Sequence, residues 1–339
     1  MVPIISRKQV LALRQHASHL HQRLPHSRFV DAAFAGLQDS SPRSAIIALH
    51  ARVRNISASD WESPNLVQIW GPRGAVYVVP RRDVAVFTIG RLPREASRRS
   101  EIENAAERIV NVSRHRKAEN HASPSTMSQQ YLRDLRFASM TGRIRIRWDG
   151  SRISWWIVDP PMSDPETARL ELARRFLLSL GPSTPAGFAW WSGGFLADAN
   201  HTFRSLKELN EVKLAGGQAW VLRASLALLE NLSSPPLTVR LLPSGDPYLG
   251  AADRKLLVPQ TRFRSELWPK SVWPGALFAN GELGGTWRRQ EGRVVIRPWR
   301  RVSSEEMEAV EREVQTIPLE FTTKNVRFER PVKPSQRHN

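Results

Sequence analysis

The sequence predicts an α+β chain in which helices and β-hairpins recur in the same order, closed by a β-rich unit. Three observations predict it. Two stretches of β-formers are broken by turn signals, "LVQIWGPRGAVYVVP" (66–80) and "RIRIRWDGSRISWWIV" (143–158). Segments with helical spacing of apolar residues precede both. Beyond about residue 235 the chain turns to short β-prone runs separated by Gly, Pro and Asn-Gly.

Each element follows from local pattern. "SRKQVLALRQHASHL" (6–20) places Val10, Leu11, Leu13 and Ala17 on one helical face. "RFVDAAFAGL" (28–37) reads as a second helix, stopped by Gly36. "SPRSAIIALHARV" (41–53) reads as a third: Ser41 can cap, Pro42 suits the first helical position, and the stripe runs from Arg43 to Arg54. The hairpin at 66–80 turns at Gly71-Pro72-Arg73-Gly74. Three helices and a hairpin is the element order of a winged helix, a module that sets a helix in the DNA major groove and lets the hairpin reach the backbone. The order recurs with a helix from about Ser125 to Ser139 and a hairpin turning at Asp149-Gly150. A third copy begins with "PETARLELARRFLLSL" (165–180). After a Gly-Pro break come a short helix capped by Ser183 or Thr184, a helix over "ADANHTFRSLKEL" (197–209), and a hairpin around Gly216-Gly217. The β-rich remainder ends in one amphipathic helix, "SSEEMEAVEREVQTI" (303–317), and the basic tail from Val326 is expected to fray. The expected units are therefore 1–95, 96–162, 163–232, a barrel-like 233–325, and the tail 326–339. The copies share element order and not residue identity.

Composition narrows the function. The chain has 339 residues, enough for two or three compact units, and no cysteine, which excludes disulfides, thiolate catalysis, iron–sulfur clusters and cysteine-based zinc sites. No apolar run approaches the ~18–20 residues that cross a bilayer. The start, "MVPIISRKQV", lacks the apolar region of a signal peptide, so a cytoplasmic protein is expected; nucleoid association and a monomer are the accompanying expectations, with no clear dimerisation domain in the sequence. Fifty Lys+Arg against 32 Asp+Glu leave a net charge of +18. Such a chain attracts polyanions, and arginine suits bidentate phosphate contact. A high-GC genome enriches arginine without any function, so charge alone leaves both readings open.

Individual residues sharpen the DNA reading. Alternation in the second hairpin puts Arg143, Arg145 and Arg147 on one face and Ile144, Ile146 and Trp148 on the other. Three like charges on one strand face repel unless an anion neutralises them. Arg73 sits in a hairpin turn, Arg288 and Arg289 follow Trp287, and Arg43 and Arg52 lie on the helix over 41–53; all are expected on the DNA side. Most of the twelve tryptophans are expected in the core. His16, His19 and His21 have no nearby carboxylate ligand and no H-E-x-x-H, so no metal is expected, and no nucleotide-loop or nucleophile-elbow motif implies a cofactor.

Five stretches taken in order resemble one family: "GLQDSSPRSAIIALHARV", "LVQIWGPRGAVYVVPRRD", "RRFLLSLGPSTPAGFAWWSG", "LPSGDPYLGAADR" and "NGELGGTWRRQEGRVVI". It is the winged-helix DNA-binding family that includes the bacterial DNA glycosylases of the AlkZ/YcaQ type. The resemblance spans about residues 10 to 315. It implies tandem winged helices around a concave basic surface, a barrel-like end, double-stranded DNA as partner, and excision of alkylated or crosslinked bases. It also implies two polar side chains, Gln-x-Gln or Gln-x-Asp, in the first unit. Gln38 matches the first. The second falls on Ser40, with Asp39 one residue early, so Gln38, Asp39 and Ser40 are the candidate catalytic residues. An amide and a carboxylate could orient a water and stabilise an oxocarbenium-like sugar; Ser is a weaker substitute. The alternative is a non-catalytic DNA-binding protein, a regulator or damage binder, in which Asp39 or a serine merely caps the next helix.

Overall fold

The computed structural model describes residues 2–41, 43–114, 120–122, 127–229, 238–319 and 324–330. Its helices, in chain order, are α1 (Arg7–Ala17), α2 (Ser44–Arg52), α3 (Val84–Phe87), α4 (Ala96–Arg114), α5 (Gln129–Met140) and α6 (Pro165–Leu180). The remainder are α7 (Pro185–Ser192), α8 (Leu196–Ser205), α9 (Arg223–Leu228), α10 (Arg254–Leu257), α11 (Thr261–Leu267) and α12 (Ser304–Thr316). Thr184 caps α7, accepting from the Gly187 N–H at 3.0 Å.

The strands form three sheets. The first holds β1 (Leu37–Gln38), β2 (Leu66–Trp70), β3 (Val76–Pro80), β4 (Asn120–Ala122), β5 (Ile144–Trp148) and β6 (Ile153–Ile157), in spatial order β1-β3-β2-β5-β6-β4. The expected hairpins at 66–80 and 143–158 are present, and they meet edge to edge where Gln68 of β2 pairs with Ile146 of β5. The hairpin of β7 (Leu209–Leu214) and β8 (Gly217–Leu222) stands alone as a two-stranded sheet. The last sheet contains β9 (Val239–Leu242), β10 (Gly275–Ala279), β11 (Glu282–Gln290), β12 (Arg293–Pro298) and β13 (Val326–Phe328), in order β13-β12-β11-β10-β9.

Several expectations are corrected. The barrel-like end is an open sheet: β9 and β13 form its two edges and do not pair with each other. The "RFVDAAFAGL" helix is two tight 3₁₀ turns, His26–Arg28 and Asp31–Ala33, whose N–H groups bond three residues back. The tighter turns bring Ala32 and Ala33 into the core beneath α2. The α2 helix begins at Ser44 after Arg43 takes a left-handed conformation (φ 69°), so neither Ser41 nor the first-turn proline opens it; Pro42 lies outside the described residues. The tail does not fray at once, because Val326–Phe328 adds to β12 in parallel; residues 331–339 lie outside the described residues. Helix α4 had no place in the sequence reading. Its buried Ile102, Ala105, Ala106, Ile109 and Val110 nonetheless carry helical spacing.

One apolar core runs through the middle of the molecule, joining Leu11, Tyr77, Phe87, Phe176, Trp191, Tyr248 and Phe278. A second packs α2 and α12 against the last sheet. The Gln38 strand lies where these two cores meet the first sheet. Among the described residues, no helix is long and apolar enough to cross a membrane.

Candidate functional site

The stretch 38–40 continues β1 along the edge of the first sheet, pairing with β3. Strand geometry sends successive side chains to opposite sides, and this decides the roles. Gln38 and Ser40 share a side: the Gln38 Nε2 donates to the Ser40 Oγ at 3.4 Å, and the Val76 N–H donates to the same hydroxyl at 3.3 Å. Asp39, expected to help orient a water, points into the interior and is 1 % exposed. Its Oδ1 accepts the Ala45 N–H at 2.9 Å, capping α2, and its Oδ2 accepts the Gln68 Nε2 at 2.7 Å. Burial pushes its carboxyl up to about 6, against the lowering effect of those two hydrogen bonds.

Gln68 passes the connection onward, its Oε1 accepting the Trp148 backbone N–H at 2.7 Å, while the Trp148 Nε1 donates to the Ser40 carbonyl at 3.2 Å. Arg43 and Arg147 each lie on the Trp61 ring, at 4.0 and 3.7 Å from its centroid. The second hairpin thus buttresses the stretch that carries Gln38.

Gln38 opens into a cleft lined by Ala35, Gly36, Arg73, Tyr77, Trp191, Gly245, Pro247, Leu249, Gly250 and Trp273. Gly245 has φ +75°, and a side-chain carbon there would come within 2.9 Å of the Gln38 amide carbon, so this glycine makes room for the amide. The turn that carries Gly245 is fixed from beneath. Arg52, expected on the DNA side, is instead 2 % exposed: its two terminal nitrogens donate to Asp246 at 2.8 and 2.7 Å, and one also reaches the Ala48 carbonyl. Asp246 in turn accepts the Tyr248 N–H. A guanidinium buried in this way holds the 246–250 turn against α2 and cannot reach a phosphate.

The remaining arginines fall in three groups. Arg73 is exposed at the first hairpin turn, in a left-handed conformation (φ 56°), beside the cleft. Arg143, Arg145 and Arg147 share a face as expected, with Ile144 and Ile146 buried opposite them. Their mutual repulsion already has protein counter-charges: Arg143 pairs with Glu107 and Arg147 with Glu62, while Arg145 is partly buried and bonds the Gly142 carbonyl. Arg288 and Arg289 are exposed near the end of β11, away from the Gln38 strand, with Trp287 buried and donating to the Leu242 carbonyl at 2.7 Å. The structure therefore brings Gln38, Ser40, Arg43, Arg73 and Arg147 to one neighbourhood. The sequence reading missed Tyr77, Gly245, Trp273, Arg254 and Gln68; the stretch "LPSGDPYLGAADR" contained two of them but offered no chemical motif. Among the described residues, no cluster of three His, Asp or Glu could hold a metal ion.

Residues 146–317 match the family model described as DNA glycosylase AlkZ-like, half of the chain, and the protein belongs to that family. It is a DNA glycosylase-like protein, with DNA as the polymer it acts on. Among solved structures it is similar to the DNA glycosylase AlkZ of Streptomyces sahachiroi, at 17 % identity and a TM-score of 0.74, covering 96 % of this chain and all of that one. A search of curated proteins finds no match. The family match begins after the Gln38 strand, so the likeness across that strand is one of fold.

Proposed function

We propose that the protein is a monofunctional DNA glycosylase that hydrolyses the N-glycosidic bond of alkylated or crosslinked purines, with Gln38 orienting the attacking water. The observation that carries this reading is the Gln38 amide at the mouth of a cleft beside Arg73, with the Ser40 hydroxyl on the same side. A purine alkylated at N3 or N7 is cationic. Water adds to C1′ and loses its extra proton to solvent, while the C1′–N bond breaks and its electron pair neutralises the departing base. Leaving-group protonation is then unnecessary, and one amide with one hydroxyl can suffice to hold the water. Asp39 acts through structure, as the cap that fixes the strand.

We assign DNA contacts to Arg43, Arg73, Arg288 and Arg289, and to Arg143, Arg145 and Arg147 with a phosphate displacing Glu107 and Glu62 from the first and last of these three, while Arg52 supports the cleft from within. The helix-then-hairpin order supports winged-helix units over 1–95, 96–162 and 163–232, a β-rich unit over 233–325 and a basic tail over 326–339. We read the protein as an intracellular monomer working at the nucleoid.

Incubation with a duplex carrying one N7-methylguanine, followed by hot alkali, tests the reading: strand cleavage is expected. Gln38→Ala should lower it by ~10²-fold or more, the scale of a lost preorganised polar group, with duplex affinity nearly unchanged. The second reading, a damage binder without catalysis, is favoured by one specific residue, Ser40 at the position of the family's second amide or carboxylate. Duplex binding without any cleavage would establish that reading.

A further inference from the structure

Of the twelve tryptophans, Trp190 alone is exposed, at 40 %. It lies on α7 beside the cleft. The Arg73 guanidinium carbon is 4.6 Å from its ring centroid and that of Arg254 is 5.7 Å away. Arg254 is also 4.9 Å from Trp268 and 5.1 Å from Trp273, so three indoles surround it. Trp273 in turn lines the Gln38 cleft.

This pair of arginines differs from the others near it. Arg52 has Asp246, Arg175 has Asp83 and Arg14 has Asp253. Both oxygens of Asp253, the neighbour of Arg254 in sequence, are taken by Arg14. Burial, and after it the like charge of Arg73, lowers the Arg254 guanidinium from its ordinary range. The Arg254 Nε is buried without a hydrogen-bond partner among the described residues. Arg73 is held close by packing: a side-chain carbon on Gly193 would come within 3.0 Å of the Arg73 backbone, so only glycine lets the hairpin turn approach α7. Two guanidiniums against one indole, with no carboxylate paired to either among the described residues, form an arrangement that an anion would complete.

We propose that Arg73 and Arg254, aligned by Trp190, form a seat for one backbone phosphate of DNA next to the nucleotide that faces Gln38. The proposal rests on the DNA reading above and adds to it a specific phosphate and two residues outside the expected set, Arg254 as a second ligand and Trp190 as the positioning residue. Aromatic contact fixes both guanidiniums before DNA arrives, and the phosphate joins them through charge-assisted hydrogen bonds. Gripping the backbone at this point sets the register of the strand, so that one sugar, and not its neighbour, stands over the Gln38 amide.

The test is a protein–DNA double-mutant cycle. Duplexes carry a tetrahydrofuran abasic analogue and a single neutral methylphosphonate, moved in turn through the phosphates on each side of it. For the wild-type protein, one methylphosphonate position should cost about tenfold in affinity. Arg254→Gln should cost a similar factor on the unmodified backbone and lose nothing further at that position. Trp190→Ala should weaken binding in the same place and Trp190→Phe should restore most of it. If Arg254→Gln does not fold, Arg73→Gln at the exposed turn carries the same cycle. Losses that multiply independently at every phosphate scanned would overturn the seat. If the coupling is found in a protein that removes no alkylated base, the seat stands and the excision reading fails. If bases are removed and no coupling is found, the seat fails alone.

Discussion

Replacing Asp39 by Asn separates a structural carboxylate from a catalytic one, and the structure supplies the magnitude. The carboxyl is raised from its ordinary 3.8 to about 6 because it is buried. That rise of about two pH units corresponds to roughly 3 kcal/mol. Its sign is set by which state holds the proton. Between about pH 4 and 6 the folded protein keeps a proton on Asp39 that the unfolded chain has released, so stability from this group is fully present below pH 4 and is lost as pH rises to about 6. The amide of Asp39→Asn cannot titrate. It still accepts the Ala45 N–H, but its NH₂ meets the Gln68 NH₂, a pH-independent cost of about 1–3 kcal/mol. The variant should therefore be less stable than wild type near pH 4.5 and gain on it by about 2–3 kcal/mol by pH 7. Guanidinium unfolding across that range measures the difference. His19 and His50, which burial lowers to about 4 and about 3, destabilise both proteins as pH falls below their ordinary 6.5 and cancel in the comparison. Stability curves that run parallel from pH 4.5 to 7 would refute the assignment of Asp39 as a buried, proton-retaining cap.

Three further outcomes follow from the same geometry. Arg52→Ala leaves Asp246 buried without its cation and should cost about 3–5 kcal/mol in denaturant unfolding, an expectation contradicted by a loss under about 1 kcal/mol. Gly245→Ala places a methyl group on the Gln38 amide at a left-handed position; excision should fall by about tenfold or more while duplex affinity, read by anisotropy, stays within about twofold. Duplex affinity should drop by orders of magnitude between about 50 and 200 mM salt if six or more phosphates are contacted, and replacing Arg143, Arg145 and Arg147 by Ser should flatten that slope.

Much of the fold was legible because its signals are local. The Asp149-Gly150 turn between alternating residues, the Gly71–Gly74 turn, and the spacing in α1, α6 and α12 each specify an element without help from distant residues. Legibility failed where distant packing ruled. The 28–37 segment has the composition of a helix, but packing of Ala32 and Ala33 beneath α2 goes with tighter turns there, and no local pattern announces that contact. The α4 helix was overlooked because its polar residues outnumber its apolar ones, although the buried positions keep their period. The last strands were legible singly, but whether a sheet closes depends on which edges meet.

For the site, sequence pattern by itself determined that Gln38, Asp39 and Ser40 stand just ahead of α2 and that positive charge predominates. It could not say which way each side chain points. The tertiary structure decided that, by making 37–38 a sheet edge: alternation then sends Gln38 and Ser40 to the cleft and Asp39 to the interior. It decided equally that Arg52 is internal and that Arg254 has no carboxylate partner among the described residues, since both outcomes depend on which groups are close in space and distant in sequence, Asp246 for the first. Local pattern specifies the direction of the chain over a few residues. Burial and charge pairing are properties of the whole packed molecule, and the roles of these side chains follow from them.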